Sequence, residues 1–263
     1  MSSKTETVEL ILSGKAATGI QGLDQLLGGG LPEGRTVLVV GGPGTGKTIL
    51  ASQFILNGIM QQAENGVFVS LDEGKDHFIR EMQHFGWDFK KAEQEKKFAF
   101  INATRMSRVA LLKEKLYGEE TKSLRGKQLS IDKLIEELQD KIKWVNAKRV
   151  AVDTLAALLY RFPDPADRRI AVIDLIESLS DLDTTTIITT ELDRLSLERS
   201  ALIEEYLAHG VIVMQTLFSQ GVTTRAIQVE KMRGAKVNPN LVPYIIDKNG
   251  IEVFPDMTLF EAK

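Results

Sequence analysis

The sequence predicts an α/β fold: a mostly parallel, twisted sheet with helices on both faces and an antiparallel C-terminal extension. Three observations carry this. Short, almost wholly apolar runs alternate with segments of helical periodicity. A glycine-rich turn joins the first such run to the first helix. Beyond residue 224 the pattern changes to strand-like runs joined by a Lys-Asn-Gly turn.

The elements follow in order. Residues 18–35 are punctuated by glycines and close on a Leu-Pro-Glu-Gly turn. TVLVVG (36–41) has the continuous apolarity of a strand buried on both faces. A helix is expected from Lys47 to about Met60, burying Leu50, Phe54, Ile55 and Ile59. VFVSL (67–71) reads as a buried strand, HFIREMQHFGW (77–87) as an amphipathic helix ended by Gly86, and FAFIN (98–102) as a third strand. Residues 105–130 break the rhythm with dense, mixed charge and read as a surface excursion. Alternation resumes with a helix over 131–145, the strand RVAVD (149–153), a helix over 166–182 and the strand TTIITT (185–190). A helix over 198–208 and the strand GVIVMQT (210–216) follow. RAIQVEKMR (225–233) and YIIDKNGIEVF (244–254) read as antiparallel strands that extend the sheet at one edge. No boundary splits these elements into two cores, so one domain is expected over 18–254, with an N-terminal segment 1–17 and a tail 255–263.

Composition narrows the function. Of 263 residues, 43% are hydrophobic and 26% charged, ordinary for a globular protein. The net charge of −3 shows no global basic field, which argues against a nucleic-acid partner but leaves room for a local patch. Cysteine is absent, which excludes disulfides, thiolate catalysis and cysteine-ligated metal. His77, His84 and His209 show no metal-ligand spacing of their own. The N-terminal segment lacks the apolar core of a signal peptide, and no apolar run approaches the roughly 20 residues that span a bilayer. A cytoplasmic location with no membrane partner is expected.

GGPGTGKT (41–48) is a complete G-x-x-x-x-G-K-[ST] phosphate-binding loop between a buried strand and a helix. Its glycines let backbone N–H groups point inward, and the helix amino terminus adds positive potential. Gly42, Pro43, Gly44, Thr45, Gly46, Lys47, Thr48 and Ile49 are the candidate nucleotide-binding residues. Lys47 is suited to the β- and γ-phosphates of ATP, and the Thr48 hydroxyl to Mg2+. Asp153 ends the buried strand 149–153, where a carboxylate can hold Mg2+; the competing role is a helix cap. Asp72 and Glu73 close the strand 67–71 at the same sheet edge, and either could orient or deprotonate an attacking water. Alternation along the strand does not decide between them. Lys231 and Arg233 are two apart on an expected strand and share a face, as a solvated edge or as cations that stabilise transition-state charge.

The segment TGIQGLDQLLGGGLPEGRTVLVVGGPGTGKT (18–48) resembles the opening of a KaiC-type domain of the RecA-like ATPase superfamily. VFVSLDE, HFGWDF, RVAVDTLAAL, IITTE, EEYLAHGVIVM and KMRGAK follow in the same order, so the resemblance runs from Thr18 to about Phe254. It implies a RecA-like core that assembles as a homo-oligomeric ring, usually a hexamer, with ATP between subunits. By the same resemblance Lys47 and Thr48 meet phosphate and magnesium, and Asp153 is the second acidic motif. The family's paired catalytic glutamates fall on Asp72 and Glu73, the first one methylene shorter here. Lys231 and Arg233 match the K-x-R-G element that reaches the γ-phosphate of ATP held by the adjacent subunit. The namesake has two tandem domains and the resemblance covers one. Its autophosphorylating domain carries Ser-Thr acceptors where Glu205 and Tyr206 stand here; Thr189, Ser196 and Ser200 are nearby hydroxyls. The resemblance implies an ATPase acting as a nucleotide-dependent regulatory switch with protein partners. The alternatives on the same core are a DNA-binding recombination accessory of RecA type and an autokinase.

Overall fold

The computed structural model describes residues 14–104, 124–159, 162, 164–192, 203–219, 221–257 and 259. Two short strands, β1 (Lys15–Ala16) and β2 (Leu31–Pro32), pair antiparallel beside the main sheet. Six parallel strands make the centre of that sheet: β3 (Thr36–Gly41), β4 (Asn65–Ser70), β5 (Phe98–Asn102), β6 (Ala147–Asp153), β7 (Thr185–Glu191) and β8 (Gly210–Ser219). β9 (Val222–Met232), β10 (Val242–Asp247) and β11 (Gly250–Val253) add on antiparallel, giving the spatial order β11-β10-β9-β8-β3-β7-β6-β4-β5. The expected mostly parallel sheet with an antiparallel C-terminal extension is therefore present.

The central strands are apolar on both faces because both faces are covered. Val37, Val39, Phe68, Ala151, Ile187 and Ile212 pack on one side against α1 (Leu23–Leu26), α2 (Lys47–Asn57), α3 (Lys75–Gln83) and α4 (Phe89–Gln94). Leu38, Val40, Val67, Val150, Val152, Ile188 and Val213 pack on the other. There they meet α5 (Leu124–Val145), α6 (Leu155–Leu159), α7 (Pro165–Ser180) and α8 (Ile203–Leu207). Alternate residues of each strand serve alternate cores, as the two-residue period of a strand requires.

Several boundaries differ from the sequence reading for local reasons. α2 stops at Asn57 and passes into a π-helical turn, Gly58–Gln62, rather than running on to Met60 as regular helix. That turn sits on Arg149, which is 1% exposed. Its Nε donates to Glu64 at 2.6 Å and its Nη1 to the Phe54 carbonyl at 2.9 Å. α3 begins two residues before His77 and ends at Gln83, and α4 follows from an Asp88 cap whose carboxylate accepts from the Lys91 N–H at 2.9 Å. The helix placed at 131–145 starts at Leu124, so the last part of the charged excursion is helical; residues 105–123 of that excursion lie outside the described residues. α7 is set by Pro165 at its first position and by Asp164, which accepts from Ala166 and Asp167 N–H. The expected helix 198–208 is described only from Ile203, and Ser196 and Ser200 lie outside the described residues. β8 and β9 run three residues further into their hairpin than the apolar pattern suggests.

Candidate functional site

The phosphate-loop residues 41–46 leave the C-terminal end of β3 and enter α2 at Lys47. Gly44 and Gly46 hold φ of 74° and 94°, where an L side chain would be strained. Thr45 Oγ1 donates to the Gly42 carbonyl at 2.9 Å. Lys47 Nζ folds back over the loop, donating to the Gly41 and Gly42 carbonyls at 2.8 and 3.0 Å. Burial holds its ammonium below the usual lysine range, while the carboxylates of Glu191 and then Asp153 pull the other way. The antiparallel extension braces the loop from outside. Tyr244 of β10 donates its hydroxyl to the Thr45 carbonyl, and Ile246 lies where a Cβ on Gly46 would fall, 2.6 Å from Ile246 Cδ1. A cleft of about 430 Å3 opens here, lined by Gly44, Gly46, Lys47, Thr48, Ile49, Glu81, Arg225 and Ile246.

Asp153 ends β6, which is not hydrogen-bonded to β3; β7 lies between them. The gap is closed by side chains. Thr48 Oγ1 donates to Asp153 Oδ2 at 2.9 Å, and Thr189 Oγ1 of β7 donates to Asp153 Oδ1. Asp153 is 7% exposed. Burial pushes its carboxyl above the usual aspartate range, opposed by the hydrogen bonds from Thr189 and Thr48 and by the Lys47 charge. A hydroxyl beside a buried carboxylate is a hard-oxygen donor set and fits Mg2+. Thr189 is wholly buried and occupied in this contact, so it is not a surface phosphate acceptor.

Asp72 and Glu73 follow β4 at the same edge and differ sharply in surroundings. Asp72 is exposed. The Glu73 side chain is 20% exposed, and its backbone N–H is held by Ser70 Oγ at 3.0 Å. Its Oε2 meets His77 Nδ1 at 2.7 Å, while its Oε1 is buried with no hydrogen-bond partner among the described residues. Burial raises the Glu73 carboxyl above the ordinary glutamate range; the His77 hydrogen bond opposes this, and the charges of Glu81 and Asp153 add to it.

Lys231 and Arg233 sit at the other edge. Met232 pairs with Gly210 at the start of β8, whereas Gly41 pairs with Met214, so about 13 Å of strand separates the two levels. Lys231 Nζ donates to the Glu205 and Ala208 carbonyls, each at 2.8 Å, and to Tyr206 at 3.2 Å. The Arg233 guanidinium donates to the Tyr206 carbonyl at 2.8 Å. Both cations thus converge on the end of α8, with His209 beside them. Burial first, then Arg35, Arg233 and Lys231, hold that imidazole below the usual histidine range.

Within the chain, then, Lys47, Thr48 and Asp153 come together with Glu73 on the same edge, and Lys231 and Arg233 do not join them. Thr189, Glu191, Arg225, Tyr244 and His77 were not singled out for this site from the sequence. Only His77 offered a local clue, four residues after Glu73.

A family model described as "ATPase: KaiC" matches residues 16–258. The chain is 32% identical over 260 residues to a circadian clock oscillator protein KaiC of Nostoc sp., covering 97% of this chain and 48% of that protein. It spans a little under half the length of the clock proteins it matches. A UPF0273 protein of Methanocaldococcus jannaschii is 32% identical over 250 residues, covering 93% of this chain and 98% of that protein. Among solved structures, a KaiC-like protein of the archaeon Pyrococcus horikoshii superposes with a TM-score of 0.76 at 34% identity, covering 92% of this chain and all of that one.

Proposed function

The chain belongs to the KaiC ATPase family, and from that premise we propose that it is a magnesium-dependent ATPase. In this reading its subunits form a ring, a hexamer, with ATP between neighbours, and the ring acts as a nucleotide-dependent regulatory switch. The observation that carries the reading is the convergence of Lys47, Thr48 and Asp153 at one sheet edge, with the half-buried carboxylate of Glu73 on the same edge.

The loop N–H groups and Lys47 bind the phosphates, Lys47 exchanging its two carbonyl contacts for phosphate oxygens. Thr48 and Asp153 would hold magnesium, which when bound neutralises charge on the phosphate oxygens. The Glu73 carboxylate accepts a proton from the attacking water as the water oxygen bonds to the γ-phosphorus. The bond from that phosphorus to the β,γ-bridging oxygen breaks, its electron pair stays on ADP, and Glu73 returns the proton to solvent. Asp72, exposed and shorter, is the weaker base candidate. Lys231 and Arg233 serve the nucleotide of the neighbouring subunit, in keeping with their distance from their own phosphate loop.

Calorimetric titration with Mg-ATP and light scattering with and without nucleotide test this together. Lys47→Ala should lose ATP binding. Arg233→Ala should bind ATP within about threefold of wild type yet lose about 10^3-fold in turnover, the usual worth of such a cation. Full turnover by a monomeric Arg233→Ala protein would overturn the trans role.

A further inference from the structure

We infer that His77 is a positioning residue for hydrolysis: through Oε2 it fixes the Glu73 carboxylate at the nucleotide edge and sets a basic group against it. This rests on the reading of Glu73 as the base. The geometry is specific. His77 Nδ1 lies 2.7 Å from Glu73 Oε2 and 3.4 Å from Glu81 Oε1, so one imidazole nitrogen sits between a carboxylate just before α3 and another one turn further along it. Glu73 is pinned at its other end through its backbone N–H on Ser70 Oγ at 3.0 Å. With Oε2 and the backbone both held, the side chain has little rotational freedom left, and Oε1 is buried with no hydrogen-bond partner among the described residues. Glu81 in turn lines the phosphate-loop cleft, so the three side chains run from the candidate base to the nucleotide cleft.

The charges are arranged to make His77 matter. Glu73 faces Asp153 of β6 and Glu81 of α3, two carboxylates that both disfavour its anion. His77 faces Glu73 and Glu81, which favour its protonated form, and Arg80, which does not. Protonated, His77 offsets the acidic company of Glu73. A base must be ionised to accept a proton. Without His77, Glu73 should ionise at higher pH and should also swing off its aim.

The test is the pH–rate profile of ATP hydrolysis by the full chain with saturating magnesium. His77→Ala should move the acid limb to higher pH and lower kcat about tenfold, with KM for ATP within about twofold. His77→Gln keeps a neutral donor; it should recover part of kcat and bring the limb part of the way back. Glu81→Gln removes a carboxylate from the same cluster and should move the limb the opposite way. Added to Glu73→Gln, His77→Ala should cost less than about twofold more, because its effect passes through Glu73. An unmoved limb in both His77 variants, with Glu73→Gln nearly inactive, overturns the positioning role and leaves the base intact. Wild-type turnover by Glu73→Gln overturns the base itself. A fall in thermal stability with an unmoved limb marks His77 as merely structural.

Discussion

Asp153 shows how one residue can be placed for chemistry at a cost to the fold. Its carboxylate is 7% exposed and has two hydroxyl donors, yet burial still raises its folded pKa. For an acid the sign is fixed. A raised folded value means the native state binds the proton more tightly than the unfolded chain does. Stability from this group is therefore full at pH below the ordinary aspartate range and is lost as pH rises through the folded value. Asp153→Asn keeps the shape, removes the buried charge and should raise the melting temperature of the nucleotide-free protein at neutral pH by about 2–4 °C. It should also abolish the further rise that Mg-ATP is expected to give the wild type. A lower melting temperature with an intact Mg-ATP response would refute both the burial cost and the metal role. Asp153 was legible in the sequence because it closes an apolar run. Thr189, its partner on the neighbouring strand β7, was not, since a contact between residues 36 apart leaves no periodic trace.

At the scale of elements, the apolar runs located the parallel strands because burial on both faces leaves little choice of residue. Helix ends were less legible, and α2 shows why. Its last turn widens into the π-helical segment Gly58–Gln62, where the backbone lies against the buried Arg149. A Cβ on Gly58 would fall 2.4 Å from Arg149 Cδ and Nε, well inside van der Waals contact. The Arg149 guanidinium cannot retreat easily, being held by Glu64 and the Phe54 carbonyl and stacked 4.6 Å from the Phe54 ring centroid. Gly58 has an ordinary helical φ of −55°, so a penalty there comes from crowding rather than backbone strain. Gly58→Ala should destabilise by about 2 kcal/mol, seen as a lower denaturant midpoint with unchanged m. In an Arg149→Met background the same change should cost less than half as much, since a thioether yields where the held guanidinium does not. Equal costs in both backgrounds would show that Gly58 serves something other than Arg149. The short helices α4 and α6 escaped the sequence reading for a simpler reason: one or two turns give too few residues to show a period.

At the scale of the whole molecule, the proposed function divides the reaction centre between two opposite edges of the chain. Lys47, Thr48, Asp153 and Glu73 stand at the C-terminal ends of the parallel strands. Lys231 and Arg233 stand at the level where β8 begins, tied to carbonyls at the end of α8. Within one chain the hydrogen-bonded register of β3, β8 and β9 keeps the two groups apart. The proposed head-to-tail ring would join them, each subunit presenting one edge to the next. Its lysine and arginine would then leave their carbonyls for phosphate. The consequence is complementation between two inactive proteins. Lys47→Ala keeps the cations but binds no ATP, and Arg233→Ala binds ATP but lacks a cation to offer. Mixed in equal amounts and allowed to exchange subunits, one interface in four pairs an intact phosphate loop with an intact Arg233, so about a quarter of wild-type turnover should return. Each protein alone should remain near background. No recovery after exchange, verified by mixed rings in native mass spectrometry, would require Arg233 to act within its own chain, against the separation of the two edges.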